Sequence, residues 1–327
     1  MDMLRLVSLA DNVELEIKSK DLQRAQLTGI WLEVVDPTKE ELQKVSEVSG
    51  IPVSFLFLPE SGNIVNLRLE PEFGIINFVI VREIFGVKEI NPVVLGFSKS
   101  FIITIAKSED QKIINLAKER LHKVKVDPPP VVAFYIMDEI VSDHFKHLER
   151  IEDLSASFEE EVVGKTDQTI VQRILRAKST LTSFNKILWY ERGLVFNLKK
   201  SDEEYLSPKS KNLFDSTHEY LTRQIDIVET YREILSDSIN AYLSTVSNKI
   251  NFSIRALTLV TLYLTIITTI TSFPNTVATF FGISQFGNTN PWLIFTIIVL
   301  SVLLPSLWLW RRKWLRRTFE ALESHGS

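Results

Sequence analysis

The 327-residue chain contains no cysteine, so disulfide bonds and thiolate metal sites are both excluded. It also lacks the residue sets of common catalytic sites. We find no Ser-His-Asp set, no phosphate-binding loop and no paired acids in an apolar setting. The formal charge is −4, the wrong sign for a protein that binds nucleic acid. These absences argue against an enzyme and against a nucleic-acid partner.

The most informative absence is that of charge near the C-terminal end. Between Arg255 and Arg311 no charged residue occurs, and this stretch holds two apolar segments separated by the polar loop 282–290. The first segment, 251–281, and the second, 291–311, could each cross a hydrocarbon core of about 30 Å as a helix. The sequence therefore predicts two transmembrane helices with the lipid bilayer as a partner.

Basic residues flank these segments on one side of the predicted membrane. The tail 312–327 is basic, and Lys249 and Arg255 stand at the start of the first segment. Because basic flanks stay in the cytoplasm, both termini are predicted to be cytoplasmic and the loop 282–290 external. The first ten residues have no long apolar core, so no secretory signal is predicted. We expect a multi-pass protein of the cell (plasma) membrane.

Residues 1–250 hold most of the charge, with 31 basic and 39 acidic side chains. Their net charge of about −8 attracts cations. Within residues 1–127, four apolar runs rich in β-formers predict strands of a cytosolic αβ domain: 29–35, 74–81, 93–97 and 101–106. A helix is predicted to start at Asp36-Pro37, with the Asp36 carboxylate as its cap, and to end at Gly50.

A helical stalk region, including a helical hairpin, is predicted for residues 128–250. The run from Asp127 to Pro130 marks the domain boundary, and helical periodicity follows from Val131 to about Leu198. A second helical pattern starts near Ser210 and has no stop signal before the first apolar segment. We therefore predict one helix of about 70 residues that continues into the bilayer, giving an α+β domain followed by long stalk helices and two transmembrane helices.

Polar residues in the first apolar segment recur at alternating steps of four and three. This set, which we call the polar seam, comprises Thr258, Thr261, Thr265, Thr268, Ser272, Asn275 and Thr279. Such spacing places the side chains on one helix face, which indicates either the lining of an oligomeric pore or tight packing between helices. The polar seam contains no carboxylate, so a cation there would be held by neutral oxygens or keep its water, as Mg²⁺ does. Pro274 also frees the carbonyl of Ile270, which predicts a kink or a coordinating oxygen.

Two further groups are weaker candidates. His144 and His147 have partial metal-ligand spacing, but the usual interpretation of such a pair on a charged helix face is a solvated one. Several acids along the long helix, among them Asp215, Glu219 and Asp226, could meet acids of a neighbouring subunit and need a cation to bridge them.

Several segments resemble the CorA-type family of magnesium and cobalt transporters. The segments that carry the resemblance are Trp31-Leu32-Glu33-Val34-Val35-Asp36-Pro37 with Glu40-Glu41-Leu42, Tyr231-Arg232-Glu233, Ser244 to Asn251, and the two C-terminal spans with their basic tail. The resemblance implies a funnel-shaped homopentamer whose first span lines a pore for divalent cations and whose second span surrounds it. It also implies that Asn251 forms the inner pore ring. Cytosolic acids between subunits would bind divalent ions and favour the closed state.

The chain departs from this family at the outer end of the first span. The family carries Gly-Met-Asn there, whereas this chain has Phe281-Gly282-Ile283-Ser284, which keeps the glycine but not the asparagine. Asn275 is the residue that would replace the missing amide. We expect a channel for divalent cations, Mg²⁺ or also Co²⁺, Ni²⁺ or Zn²⁺, with cytosolic Mg²⁺ as a possible regulator. The alternatives are a proton-coupled transporter of zinc or another metal in the same superfamily, and a non-conducting membrane scaffold.

Overall fold

The computed structural model describes residues 3–11, 13–59, 64–82, 90–121, 129–164, 167–282 and 290–311. It divides into two compact units, unit 1 (Met1–Thr245) and unit 2 (Val246–Ser327). The predicted boundary between residues 127 and 128 lies outside the described residues, and the predicted domain limits stay predictions.

Unit 1 contains a mixed seven-stranded sheet. Its strands are β1 (Met3–Ser8), β2 (Glu14–Lys18), β3 (Ile30–Val35), β4 (Asn66–Leu69), β5 (Gly74–Val81), β6 (Ile90–Phe97) and β7 (Phe101–Ala106). They lie in the order β2-β1-β3-β7-β6-β5-β4. Of the described pairings only β3 with β7 is parallel, with Leu32 opposite Ile103. All four runs that the sequence predicted as strands are present.

The central strands are buried on both sides, which explains their continuous apolar sequence. Helix α1 (Lys39–Ser49) covers one face, where Leu42 and Val45 join Leu32 and Ile103 in one apolar core. Helices α2 (Gln111–Leu121) and α3 (Pro129–Gly164) cover the other. There the Lys118 ammonium lies 2.7 Å from the buried Glu33 carboxylate, which gives that carboxylate a charge partner.

The start of α1 differs from the prediction. Thr38, not Asp36, caps the helix: its hydroxyl accepts the Glu41 amide at 3.2 Å, and the Glu41 carboxylate accepts the Thr38 amide at 2.7 Å. Asp36 has a positive φ of 44°, and its carboxylate accepts the amide of Ser108 instead. The predicted helix end is confirmed, because Gly50 adopts the left-handed conformation that suits a helix stop.

Three long helices follow the sheet. These are α3, α4 (Gln168–Lys200) and α5 (Pro208–Phe281), and the Asp167 carboxylate caps α4 by accepting the Thr169 amide. In unit 1 the three helices pack pairwise. Phe134 of α3 contacts Phe214 of α5 edge to face, and Asn185 of α4 donates to Glu229 of α5. The predicted long helix is confirmed, since α5 is a single helix of 74 residues.

Two helices carry the apolar segments. In the described part of the chain, α5 is the one helix long and apolar enough to cross a membrane by length and composition. Helix α6 (Pro291–Arg311) is apolar over the shorter range Pro291–Leu307 and begins where the Asn290 side chain accepts the Trp292 amide. The basic tail 312–327 lies outside the described residues.

Candidate functional site

The predicted ion-pathway residues lie together on the surface of α5 in unit 2. Asn251 and all seven residues of the polar seam are exposed in the single chain. The span also has a partly buried face, made of Leu259, Leu262, Ile266, Ile270, Pro274 and Val277. At about 100° per residue, the centres of the two faces are about 150° apart around the helix. The polar seam therefore occupies the side of the span that the chain itself leaves uncovered.

The hydroxyl groups of the seam threonines bond to the helix backbone. Thr258 donates to the Ile254 carbonyl at 2.8 Å, and Thr265 donates to the Thr261 carbonyl at 2.8 Å. Threonines outside the seam do the same, as Thr269 does toward the Thr265 carbonyl. These bonds therefore do not distinguish a seam that lines a pore from a seam that packs against another helix. They do leave each hydroxyl oxygen with lone pairs that can accept hydrogen bonds from outside the helix.

Pro274 does not add an oxygen to the seam. The helix continues through Pro274, and both Pro274 and Ile270, whose carbonyl it frees, belong to the partly buried face. That carbonyl therefore belongs to the side opposite the polar seam, which argues against its use as a pore ligand. Asn275, one residue later, is exposed and belongs to the polar seam itself.

The outer end of the span is described only in part. Phe281 is the last residue of α5, and the Gly282 amide donates to the Ala278 carbonyl at 3.0 Å. The predicted mouth residues Ile283 and Ser284 lie outside the described residues.

The three predicted regulatory acids lie on one face of α5, because they are separated by four and then seven residues. Asp215 already forms an ion pair with Lys199 of α4. Glu219 and Asp226 are exposed. Among the described residues no group of three or more His, Cys, Asp or Glu side chains is placed to hold a metal ion. A single chain therefore offers Glu219 and Asp226 as available oxygens and does not complete a site.

The prediction that the two histidines are solvated was wrong. His144 and His147 are both buried, since the face of α3 that carries them packs inside unit 1. The His144 Nδ1 lies 3.7 Å from the carboxylate of Glu191 on α4, which is completely buried. Burial lowers the pKa of His144 to about 4, and it raises the pKa of Glu191 well above its usual value. Sequence reasoning missed Glu191, although Leu188 and Val195, three residues before and four after it, place it on the apolar face of α4.

Comparison with known proteins shows that one family matches most of the chain. The family described as CorA-like Mg²⁺ transporter protein matches residues 27–317. The cobalt/magnesium transport protein CorA of Methanocaldococcus jannaschii is 25% identical over 321 residues, covering 92% of this chain and 96% of that protein.

Solved structures agree on the fold. The complete CorA magnesium transporter of the same organism superposes with a TM-score of 0.70 at 21% identity, over 95% of this chain and 98% of that one. The ZntB cytoplasmic domain from Vibrio parahaemolyticus gives a TM-score of 0.61 at 12% identity, over 75% of this chain and 98% of that one. The predicted fold class is confirmed.

The buried acid leads to a prediction about stability. In the unfolded chain Glu191 loses its proton above its ordinary pKa of 4.5, whereas burial raises its pKa well above that value in the folded chain. Between these two pKa values, wild-type stability should fall with rising pH relative to Glu191→Gln, by up to about 1.4 kcal/mol per pH unit. We expect the melting temperature of wild type to fall relative to that of Glu191→Gln as the pH is raised above 4.5. The exposed Glu159→Gln serves as the control, and equal pH profiles for Glu191→Gln and wild type would show that Glu191 is not protonated in the fold.

Proposed function

This chain belongs to the family of CorA-like Mg²⁺ transporter proteins, and on that premise we propose that it forms a pore for divalent cations lined by the polar seam. The resemblance noted in the sequence is thereby confirmed, and with it the general activity of a divalent metal ion transporter. Its family is one of transporters, so the chain is not an enzyme.

One observation carries the pore proposal. The polar seam faces away from the partly buried side of α5 and is uncovered in the single chain. In a bilayer such a row of hydroxyl and amide groups is favourable where it faces water or protein. Since the hydroxyl protons are bonded to the backbone, the oxygens present acceptors, and the water shell of a hydrated Mg²⁺ presents donors. The cargo we favour is therefore Mg²⁺ that keeps most of its water.

A pore of this kind needs several copies of the chain. A single helix face cannot enclose a channel, and the three heptads of the seam drift by only about 60° on a straight helix, so each copy would present its seam to a common axis. We propose a homopentamer, as the family resemblance implies, with Asn251 as the inner ring and Thr279 toward the outer mouth. The second span surrounds the first, both termini are cytoplasmic, and the protein lies in the cell membrane.

Regulation follows from the acids on α5. With Lys199 bound to Asp215, the carboxylates of Glu219 and Asp226 are the ones free to meet a cation shared with a neighbouring subunit. Binding of cytosolic Mg²⁺ there would hold adjacent subunits together and favour the closed state.

Ion flux into liposomes tests the proposed function. Purified protein is reconstituted and the uptake of Mg²⁺, Co²⁺, Ni²⁺ and Zn²⁺ is measured with and without a proton gradient. We expect Mg²⁺ uptake that needs no proton gradient. Uptake that occurs only with the gradient would favour the proton-coupled alternative, and intact oligomers that pass no ion would favour the scaffold.

The seam can be tested against matched threonines of the same helix. We expect the triple variant Thr261→Val, Thr265→Val, Thr268→Val to lose most of its Mg²⁺ flux while the oligomer stays intact, because acceptor oxygens are replaced by methyl groups. The control is the triple variant Thr269→Val, Thr271→Val, Thr276→Val. These hydroxyls make the same backbone bonds but lie outside the seam. Equal flux losses in the two triple variants, or a seam variant that fails to assemble, would contradict a pore-lining role.

The regulatory acids allow a separate test. Glu219→Gln combined with Asp226→Asn should weaken the inhibition of flux by Mg²⁺ on the cytosolic side, because the shared site loses its charged ligands. Asp215→Asn should change it less, since its carboxylate is held by Lys199. An unchanged response to cytosolic Mg²⁺ after all three are neutralised would remove α5 from the regulatory site.

A further inference from the structure

Helices α3 and α4 carry opposite charge. Helix α3 has nine acids and two bases, whereas α4 has seven bases and one acid, the buried Glu191. The exposed acids of α3 are Glu149, Glu152, Asp153, Glu159 and Glu160, and the exposed bases on the outer side of α4 include Arg176, Lys186 and Lys200. We call these sets the acidic face and the basic face.

The acidic face and the basic face form few ion pairs within the described part of one chain. In the part of the chain that the structure describes, Glu161 with Arg173 is the ion pair that joins α3 to α4 near these faces, at 2.7 Å. Within that same part no ion pair holds Glu149, Glu159, Arg176 or Lys186. Because α3, α4 and α5 pack pairwise around a shared interior, the outer faces of α3 and α4 point in different directions.

The basic face also exposes large apolar side chains at a regular interval. Leu175, Trp189 and Phe196 stand 14 and 7 residues apart and are 51%, 51% and 41% exposed. The Arg192 guanidinium lies 3.9 Å from the centre of the Trp189 ring, which adds a cation to the same stripe. A seven-residue repeat of apolar side chains is the pattern that packing against another helix covers.

We infer that the acidic face of one copy docks on the basic face of the next copy in the oligomer. The charge complementarity identifies a second copy of this chain as the occupant, because the chain itself supplies the acidic helix that the basic helix lacks. The contact is head to tail, and repetition of such a contact around an axis closes a ring. This inference rests on the oligomer proposed above and adds an interface in unit 1 that is independent of the pore.

The register of α3 against α4 identifies the pairs. Glu161 meets Arg173 and His144 meets Glu191, so the helices are antiparallel, and Glu149 is level with Lys186 while Glu159 is level with Arg176. Copies in a ring are related by rotation about its axis, so a residue has the same position along the axis in every copy. If α3 and α4 run along that axis, an acid on α3 of one copy lies at the same position along it as its matching base on α4 of the neighbour.

The absence of native cysteine makes disulfide trapping a direct test. Two differently tagged full-length chains are co-expressed, one carrying Glu149→Cys and the other Lys186→Cys, and the membranes are mildly oxidised. We expect a reducible dimer that holds both tags, which can form only between copies. Each variant expressed alone should stay monomeric on a denaturing gel, because a head-to-tail contact does not bring position 149 to its own equivalent.

A control pair and a mass measurement decide the outcome. Lys112→Cys, an exposed lysine on α2, replaces Lys186→Cys and should give no mixed dimer. Native mass and Mg²⁺ flux are recorded for the same samples. An intact, conducting oligomer without the mixed dimer, or with equal linking of identical chains, would overturn the interface and leave the proposed function standing. Failure to form any oligomer would instead count against the oligomeric pore itself.

Charge reversal gives a second readout that does not depend on cysteine geometry. Glu149→Lys and Lys186→Glu should each lower the temperature at which the purified oligomer dissociates, because like charges then face each other. The chain that carries both changes should recover most of the loss, since the pair is restored with its signs exchanged. Additive losses in the double variant would contradict the pairing.

Discussion

The demand of the hydrocarbon layer that polar groups be satisfied is the constraint on which the membrane part of this protein depends. A helix meets this demand for the backbone, and the threonines of α5 meet it for their own protons by donating to carbonyls of the preceding turn, as Thr261 does toward Leu257 at 2.9 Å. What remains toward the outside is a set of oxygen lone pairs without formal charge. Such a surface interacts well with water and with the outer hydrogens of a hydrated cation, and it holds no charge that would trap the ion.

Outside the bilayer this constraint on polar groups does not apply, and the acidic and basic side chains of unit 1 lie on different helices. Acids outnumber bases nine to two in α3, and bases outnumber acids seven to one in α4. The buried Glu33 carboxylate has the Lys118 ammonium at 2.7 Å, whereas burial raises the pKa of Glu191 well above its usual value. If the exposed bases of α4 are matched by the acids of a neighbouring α3, the exposed Glu219 and Asp226 of α5 keep their carboxylates for a cation. The interface and the regulatory site would then use different carboxylates of one acidic domain.

Much of this architecture could be predicted from local pattern. Strands β5 and β7 are apolar runs between turn residues, and α5 keeps one periodicity through 74 residues without a stop signal, so both kinds of element could be predicted from the sequence. The helix cap at Thr38 could also have been found, because threonine followed three residues later by Glu41 is a capping-box pattern. The carboxylate of Asp36 predicts a cap at that residue instead, but Asp36 has a positive φ and accepts the amide of Ser108, a contact 72 residues away that local pattern does not show.

The burial of His144 could have been predicted from helical spacing, because Ile140 and Leu148, four residues before and after it, share its face and are buried. What the sequence does not give is its partner Glu191, since that contact depends on how α4 packs on α3. For the polar seam, spacing alone predicted the common face, and the structure added that this face lies opposite the partly buried one.

In the proposed pore, the uncharged outer mouth would change how strongly cations are attracted to the entrance but not whether they can enter. The loop between Gly282 and Asn290 has no charged residue, so no fixed field there concentrates cations. A membrane potential acts on the ion itself, at about 4.6 kcal/mol per 100 mV for a divalent charge. That drive is larger than the attraction of an exposed carboxylate in water at about 4 Å, which is about 2 kcal/mol for a divalent ion. In the proposed pore, lined by neutral acceptors and with acids only on its inner side, the membrane potential would therefore drive inward movement without a charged mouth.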